Sequence, residues 1–123
     1  MITVKATAHF TVFRTELLII LPRVESIYTL HNVPCEITCG TNGHPSDDPH
    51  THGFAYDFGT HSIPQPQLKP MHEALVTQLG SDYTVLYSDK NLAEAVYVDT
   101  PNAHFHIQLR KDLWHKIFDQ ETM

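Results

Sequence analysis

The segment Asn102 to Leu109 constrains this chain most. Ala103, Phe105, Ile107 and Leu109 alternate with His104, His106 and Gln108. Alternation with a period of two is the pattern of a strand with one face in a core and the other in a polar cleft. The chain must therefore build a sheet, and that strand must carry His104 and His106 on its open face.

A second polar cluster lies far upstream, in His50-Thr51-His52-Gly53-Phe54-Ala55-Tyr56-Asp57. Two imidazoles from distant parts of the chain and one carboxylate can close three corners of a tetrahedron around zinc. The fourth corner is left for water, which is the composition of a catalytic rather than a structural zinc site. Gly53 and Ala55 keep side chains small where backbone must pass close to something. His52 competes with His50 for the ligand role if the segment is extended, because His-x-His then puts both rings on one side.

His-x-x-Gly-x-Ala-x-Asp followed by His-x-His on a strand resembles the zinc D-alanyl-D-alanine peptidases, which cut peptidoglycan stem peptides and are related to the hedgehog signalling domain. The resemblance runs from roughly Leu17 to Leu109. It includes Val33 to Gly40, where the family has a strand ending in Ser-Gly, and Asn42-Gly43-His44, which is similar to a loop of the short phage-type members. The resemblance implies His50, Asp57 and His106 as ligands of Zn2+, with His104 beside the bound substrate. It also implies zinc-dependent hydrolysis of peptide bonds in stem peptides or cross-bridges, an endolysin-like cell-wall metallopeptidase.

The chain departs from that family in three places. Tyr87 ends Tyr83-Thr84-Val85-Leu86 where phage-type members commonly carry the Glu that serves as general base. Asp99, five residues before His104, is the expected substitute, with Glu94 the next carboxylate upstream. No Arg stands between Arg23 and Arg110 to clamp a terminal carboxylate bidentately. An internal bond is thus the expected target unless Lys69 or Lys90 takes that part. Asp48 before Pro49 replaces the family's Ser two residues ahead of the first ligand, which bears on loop geometry.

Length and charge set the remaining expectations. With 123 residues, 41% of them hydrophobic, the chain makes one domain, residues 1–123, expected to be monomeric. A net charge of −6 argues against nucleic acid as a partner. Leu17-Leu18-Ile19-Ile20-Leu21 is too short to span a bilayer and no export signal is evident. Synthesis in the cytoplasm, with holin- or lysis-dependent access to the wall, is the corresponding expectation. Ten histidines exceed ordinary packing needs. His44 and His61 are read as loop residues that can line the cleft, and His9, His31, His72 and His115 as ordinary.

The coarse element reading is a strand over Met1 to Phe13, then helices over Thr15 to His31 with a fresh start at Pro22. A strand over Val33 to Gly40, a helix over Gln65 to Leu79 ended by Gly80, and strands at Asp82 to Ser88, Ala93 to Val98 and His104 to Leu109 follow. A short helix capped by Asp112 closes the chain. Cys35 and Cys39, four residues apart on a strand and so about 13 Å between Cα atoms, cannot form a disulfide. They are read as half-buried thiols, with an added metal or redox role as the alternative.

The expected fold is α+β, a mainly antiparallel sheet with helices on one face and a zinc cleft on the other. Two other functions compete with the peptidase. One is a zinc-containing binding module of the same fold without a competent base. The other is a metal-dependent nuclease with His104-Phe105-His106 on the metal and Tyr87, in Tyr-x-x-Lys, as nucleophile.

Overall fold

The computed structural model describes residues 1–41 and 48–123. The Asn42-Gly43-His44 loop, with the expectation for His44, falls outside them. The class is α+β. Five strands, β1 (Ile2–Val4), β2 (Cys35–Cys39), β3 (Ala55–Gly59), β4 (Tyr83–Tyr87) and β5 (His104–Leu109), form one sheet in the order β1-β2-β3-β5-β4. The sheet is mixed: β1 runs parallel to β2, and the other three pairings are antiparallel.

Alternation along β5 works as its sequence dictates. Phe105, Ile107 and Leu109 are buried in the core with Tyr56 and Phe58 of β3 and Val85 and Tyr87 of β4. Two helices cover that face. In α2 (Leu21–Leu30), Pro22 occupies the first turn, where its missing N–H leaves no helix bond unmade, and Val24, Ile27 and Tyr28 turn inward. In α3 (Leu68–Leu79), Leu68, Met71, His72, Leu75 and Leu79 recur at helical spacing and are buried. Gly80 ends it at φ 83°, a conformation that favours glycine. The Tyr28 hydroxyl donates to the Gly59 carbonyl at 2.8 Å, tying α2 to β3.

The short α1 (Thr15–Leu18) and the terminal α4 (Lys111–Glu121) both touch β5. Trp114 of α4 stacks on Phe54, and the Arg14 guanidinium lies 4.4 Å from the centre of the same Phe54 ring. Asp112 sits in the first turn of α4, but the residue at its N-terminal boundary is Arg110, and the two pair with each other.

Two expected strands differ. Of Met1 to Phe13, Ile2–Val4 alone is strand. Ala93 to Val98 forms no strand and is held by side chains instead. The Tyr87 hydroxyl donates to the Val98 carbonyl at 3.0 Å, and the Tyr97 hydroxyl meets His72 Nδ1 at 2.9 Å.

Candidate metal centre

The register places three polar side chains in one row across the open face of the sheet. In antiparallel strands, directly opposite residues share a face. Asp57 of β3 is opposite His106 of β5, and Cys39 of β2 is opposite Asp57. Cys39 reaches that face through a bulge. Ile37 pairs with Phe58 in the core, yet Cys39, two residues on, pairs with Asp57, one residue back on β3. The extra residue at Thr38 re-aims the strand, as bulges do. A regular β2 would have turned Cys39 toward the core beside Cys35 and Ile37.

His50 completes the group from the turn preceding β3. Its Nε2 lies 3.0 Å from Asp57 Oδ1 and 3.0 Å from His106 Nδ1, and His106 Nδ1 lies 3.2 Å from Asp57 Oδ1. Nitrogen and oxygen ligands of a tetrahedral zinc ion lie about 3.3 Å apart. The triangle thus has the dimensions of one face of such a site. His50 is 2% exposed, His106 7% and Asp57 8%, so bulk water does not screen the group.

The outer nitrogens decide what the inner ones can do. His50 Nδ1 donates to the Gly40 carbonyl at 3.1 Å, and His106 Nε2 donates to Gln108 Oε1 at 2.7 Å. The Gln108 amide is fixed in turn by a bond from its Nε2 to the Leu109 carbonyl. In the neutral rings, His50 Nε2 and His106 Nδ1 therefore both carry lone pairs, and both face a carboxylate oxygen. Three electron-pair donors converge at about 3 Å, an arrangement that demands a cation between them or a proton on one ring. The titration follows: burial opposes the Asp57 charge, but hydrogen bonds from His106 and His50 hold that carboxyl well below the usual carboxylate range. Burial also disfavours the His106 imidazolium, yet the bonds to Asp57 and Gln108 outweigh it and raise the ring's pKa.

Cys39 stands beside His50 and Asp57. One ligand atom from each of Cys39, His50 and Asp57 lies within 4.8 Å of the others, so a buried His/Cys/Asp set can hold a metal ion here. Burial, then Asp57, then Asp48 push the Cys39 thiol up to about 11. Gly40 follows it because a side chain has no room: a Cβ would fall 2.5 Å from the His9 carbonyl and 2.6 Å from the Phe10 ring.

His104 stands at the rim, about one-fifth exposed. Its Nδ1 donates to the Asn102 carbonyl at 2.8 Å, and its Nε2 faces two carboxylates, Asp57 at 3.8 Å and Asp89 at 3.7 Å. Asp89 is the carboxylate that sequence reading missed. It follows β4 in a turn where Ser88 and Asp89 both take positive φ, 49° and 67°, and that turn folds back toward β5. A run of Tyr-Ser-Asp gives no hint of this.

Asp99, the expected base, does not join the group. Its carboxylate pairs with His61 at 3.1 Å and its backbone N–H donates to Gln65 Oε1 at 3.3 Å, with both partners of the pair substantially exposed. The chain makes a turn after Thr100, closed by the Ala103 N–H donating to the Thr100 carbonyl at 3.0 Å, before it enters β5. Glu94 is exposed in the preceding segment, its N–H bonded to Asn91. His52 is no rival to His50: its segment is a turn rather than extended, and its ring packs 4.2 Å from Phe118 and 6.2 Å from Trp114. Tyr87 is opposite Phe105 and 1% exposed, so its hydroxyl lies on the core face, away from His104 and His106.

Beside the group, along the same face of β5, lies a cavity of about 800 Å³. Gln108 joins the two. The walls are Asp48, Pro49 and His52 on one side and Lys111, Trp114 and Phe118 of α4 on the other. No helix among the described residues is long and apolar enough to cross a membrane.

The chain matches no protein-family model, no curated protein and no solved structure. The site's chemistry therefore rests on its own geometry.

Proposed function

We propose that the chain is a zinc-dependent hydrolase of peptide bonds in peptidoglycan stem peptides or cross-bridges, with His50, Asp57 and His106 as the metal ligands. The observation that carries this reading is the convergence of His50 Nε2, His106 Nδ1 and Asp57 Oδ1 within 3.2 Å of one another, with both rings committed as donors on their far sides. The peptide substrate is supported by the likeness of His50-x-x-Gly53-x-Ala55-x-Asp57 and His104-x-His106 to the zinc D-alanyl-D-alanine peptidases.

When bound, zinc supplies a Lewis acid that lowers the pKa of a water molecule toward neutrality and polarises a carbonyl. The protein's own groups do the rest. Asp57 offsets the ion's charge, and Gly40 and Gln108 hold the two rings in the orientation that ligation requires. Asp89 replaces Asp99 as general base: its carboxylate takes the attacking water's proton and returns it to the departing amine. His104 Nε2, between Asp57 and Asp89, is positioned to hydrogen-bond the oxygen that gains negative charge. The cavity between the 48–52 turn and α4 receives peptide next to the scissile bond. Lys111 at the cavity and Lys90 beside Asp89 in sequence are cations for a substrate carboxylate.

The test is turnover of purified peptidoglycan by protein loaded with one zinc per chain, with mass spectrometry of the released fragments. Release of soluble peptides whose masses locate one bond supports the reading. Intact peptidoglycan after prolonged incubation with fully loaded protein refutes the substrate and leaves a binding module.

A further inference from the structure

The bulge in β2 brings the Cys39 sulfur to the face of the sheet that carries Asp57 and His106. We propose that Cys39 is a fourth metal ligand, so that the centre alternates between a closed state with the thiolate on the ion and an open state with the thiol released. This rests on the metal reading above and deepens it by naming a control on that same site.

Three observations lead there. Cys39 is opposite Asp57 on the open face only because the register slips at Thr38; both cysteines would otherwise face the core. Its ligand atom lies within 4.8 Å of those of His50 and Asp57, one of which is 2% exposed and the other 8%. The neighbouring Gly40 supplies, through its carbonyl, the bond that orients His50, so the chain segment carrying the sulfur also fixes an imidazole. Sulfur, two nitrogens and a carboxylate oxygen make a complete tetrahedral donor set for zinc.

A closed set of four protein ligands leaves no place for water, whereas three ligands and an open position are the catalytic arrangement. Closing is an exchange that balances simply: the Cys39 thiol loses its proton to solvent, the thiolate binds the ion, and a water molecule leaves. Opening reverses each part. Neither direction needs an oxidant or reductant. Thiol-directed chemistry at Cys39, such as alkylation, holds the site open. Cys35, 2% exposed on the core side of the same strand, takes no part.

The experiment loads the full chain with cobalt(II) in place of zinc, because a thiolate bound to cobalt gives a strong near-ultraviolet charge-transfer band that nitrogen and oxygen ligands do not. The parent and Cys35→Ser should each bind one cobalt per chain and show the band; Cys39→Ser should bind one cobalt and lose it. In parallel, zinc should slow alkylation of Cys39 in the parent by roughly tenfold or more, read by peptide mass spectrometry, because a metal-held thiolate is no longer a free nucleophile. One bound cobalt without the band, or a band that survives Cys39→Ser, overturns the fourth-ligand proposal and leaves the three-ligand centre standing. A parent that binds no cobalt overturns the metal reading itself. Should Cys39→Ser fail to fold, the band and the alkylation rate of the parent decide alone.

Discussion

His50 Nε2 and His106 Nδ1 lie 3.0 Å apart across fifty-six residues of chain, each with its other ring nitrogen already donating to an oxygen. Two neutral imidazoles so fixed present lone pair to lone pair, and Asp57 adds a third. Closeness of that kind persists in a fold only if a cation or a proton mediates it.

The partner of His106 should tune affinity without being a ligand. Gln108→Ala removes the acceptor of His106 Nε2–H and frees the ring to rotate. Zinc affinity, measured by competition with a chromophoric chelator, should fall about 10–100-fold, with the stoichiometry still one per chain. An unchanged affinity would show that ring orientation is set elsewhere.

The two candidate bases separate cleanly. Asp89→Asn should lower hydrolysis by about 10²–10⁴-fold while zinc content stays at one per chain. Asp99→Asn should leave it near the parent value, since that carboxylate is engaged with His61. Equal loss in both variants, or loss in Asp99→Asn alone, would return the base to the position five residues before His104.

Gly40 couples packing to the centre. In Gly40→Ala the added methyl meets the His9 carbonyl at 2.5 Å, so backbone rather than a pliable side chain must move. The variant should lose about 1–3 kcal/mol of stability in denaturant unfolding. It should also bind zinc more weakly, because its carbonyl orients His50. A stable variant with parental affinity would contradict that coupling.

His72 gives the fold its own pH dependence. The ring is buried under α3, bonded to the Val85 carbonyl at 2.7 Å and to the Tyr97 hydroxyl at 2.9 Å, and burial lowers its pKa. The unfolded chain therefore binds this proton more readily, so His72 contributes stability that is complete above about pH 6.5 and is lost as pH falls below it. Metal-free protein should show this slope in denaturant midpoints, and His72→Gln should reduce the slope relative to the parent. Identical slopes would place the effect on another histidine.

What the sequence made legible is what depends on one strand or helix at a time. The alternation of His104 to Leu109 announces both the buried face and the polar one, and Pro22 and Gly80 mark helix boundaries by backbone chemistry that needs no partner. What stayed hidden depends on two strands together. Cys39 reaches the site because β2 slips one residue against β3, and an alternating reading of β2 alone puts it with Cys35. Asp89 arrives because two successive residues turn through positive φ, whereas Asp99 looked closer by counting along the chain to His104. The row Cys39, Asp57, His106 is a property of register, which no one of its strands encodes alone.

If His50, Asp57 and His106 hold one ion together, zinc content must depend on Asp57 and on His106. Parent protein, Asp57→Asn and His106→Ala would each be equilibrated with zinc, freed of loosely bound metal by gel filtration, checked for folding by circular dichroism, and analysed for metal by mass spectrometry. The parent should hold one zinc per chain, and both folded variants should lose most of it. A parent without zinc, or variants that keep a full ion each, would contradict a shared site.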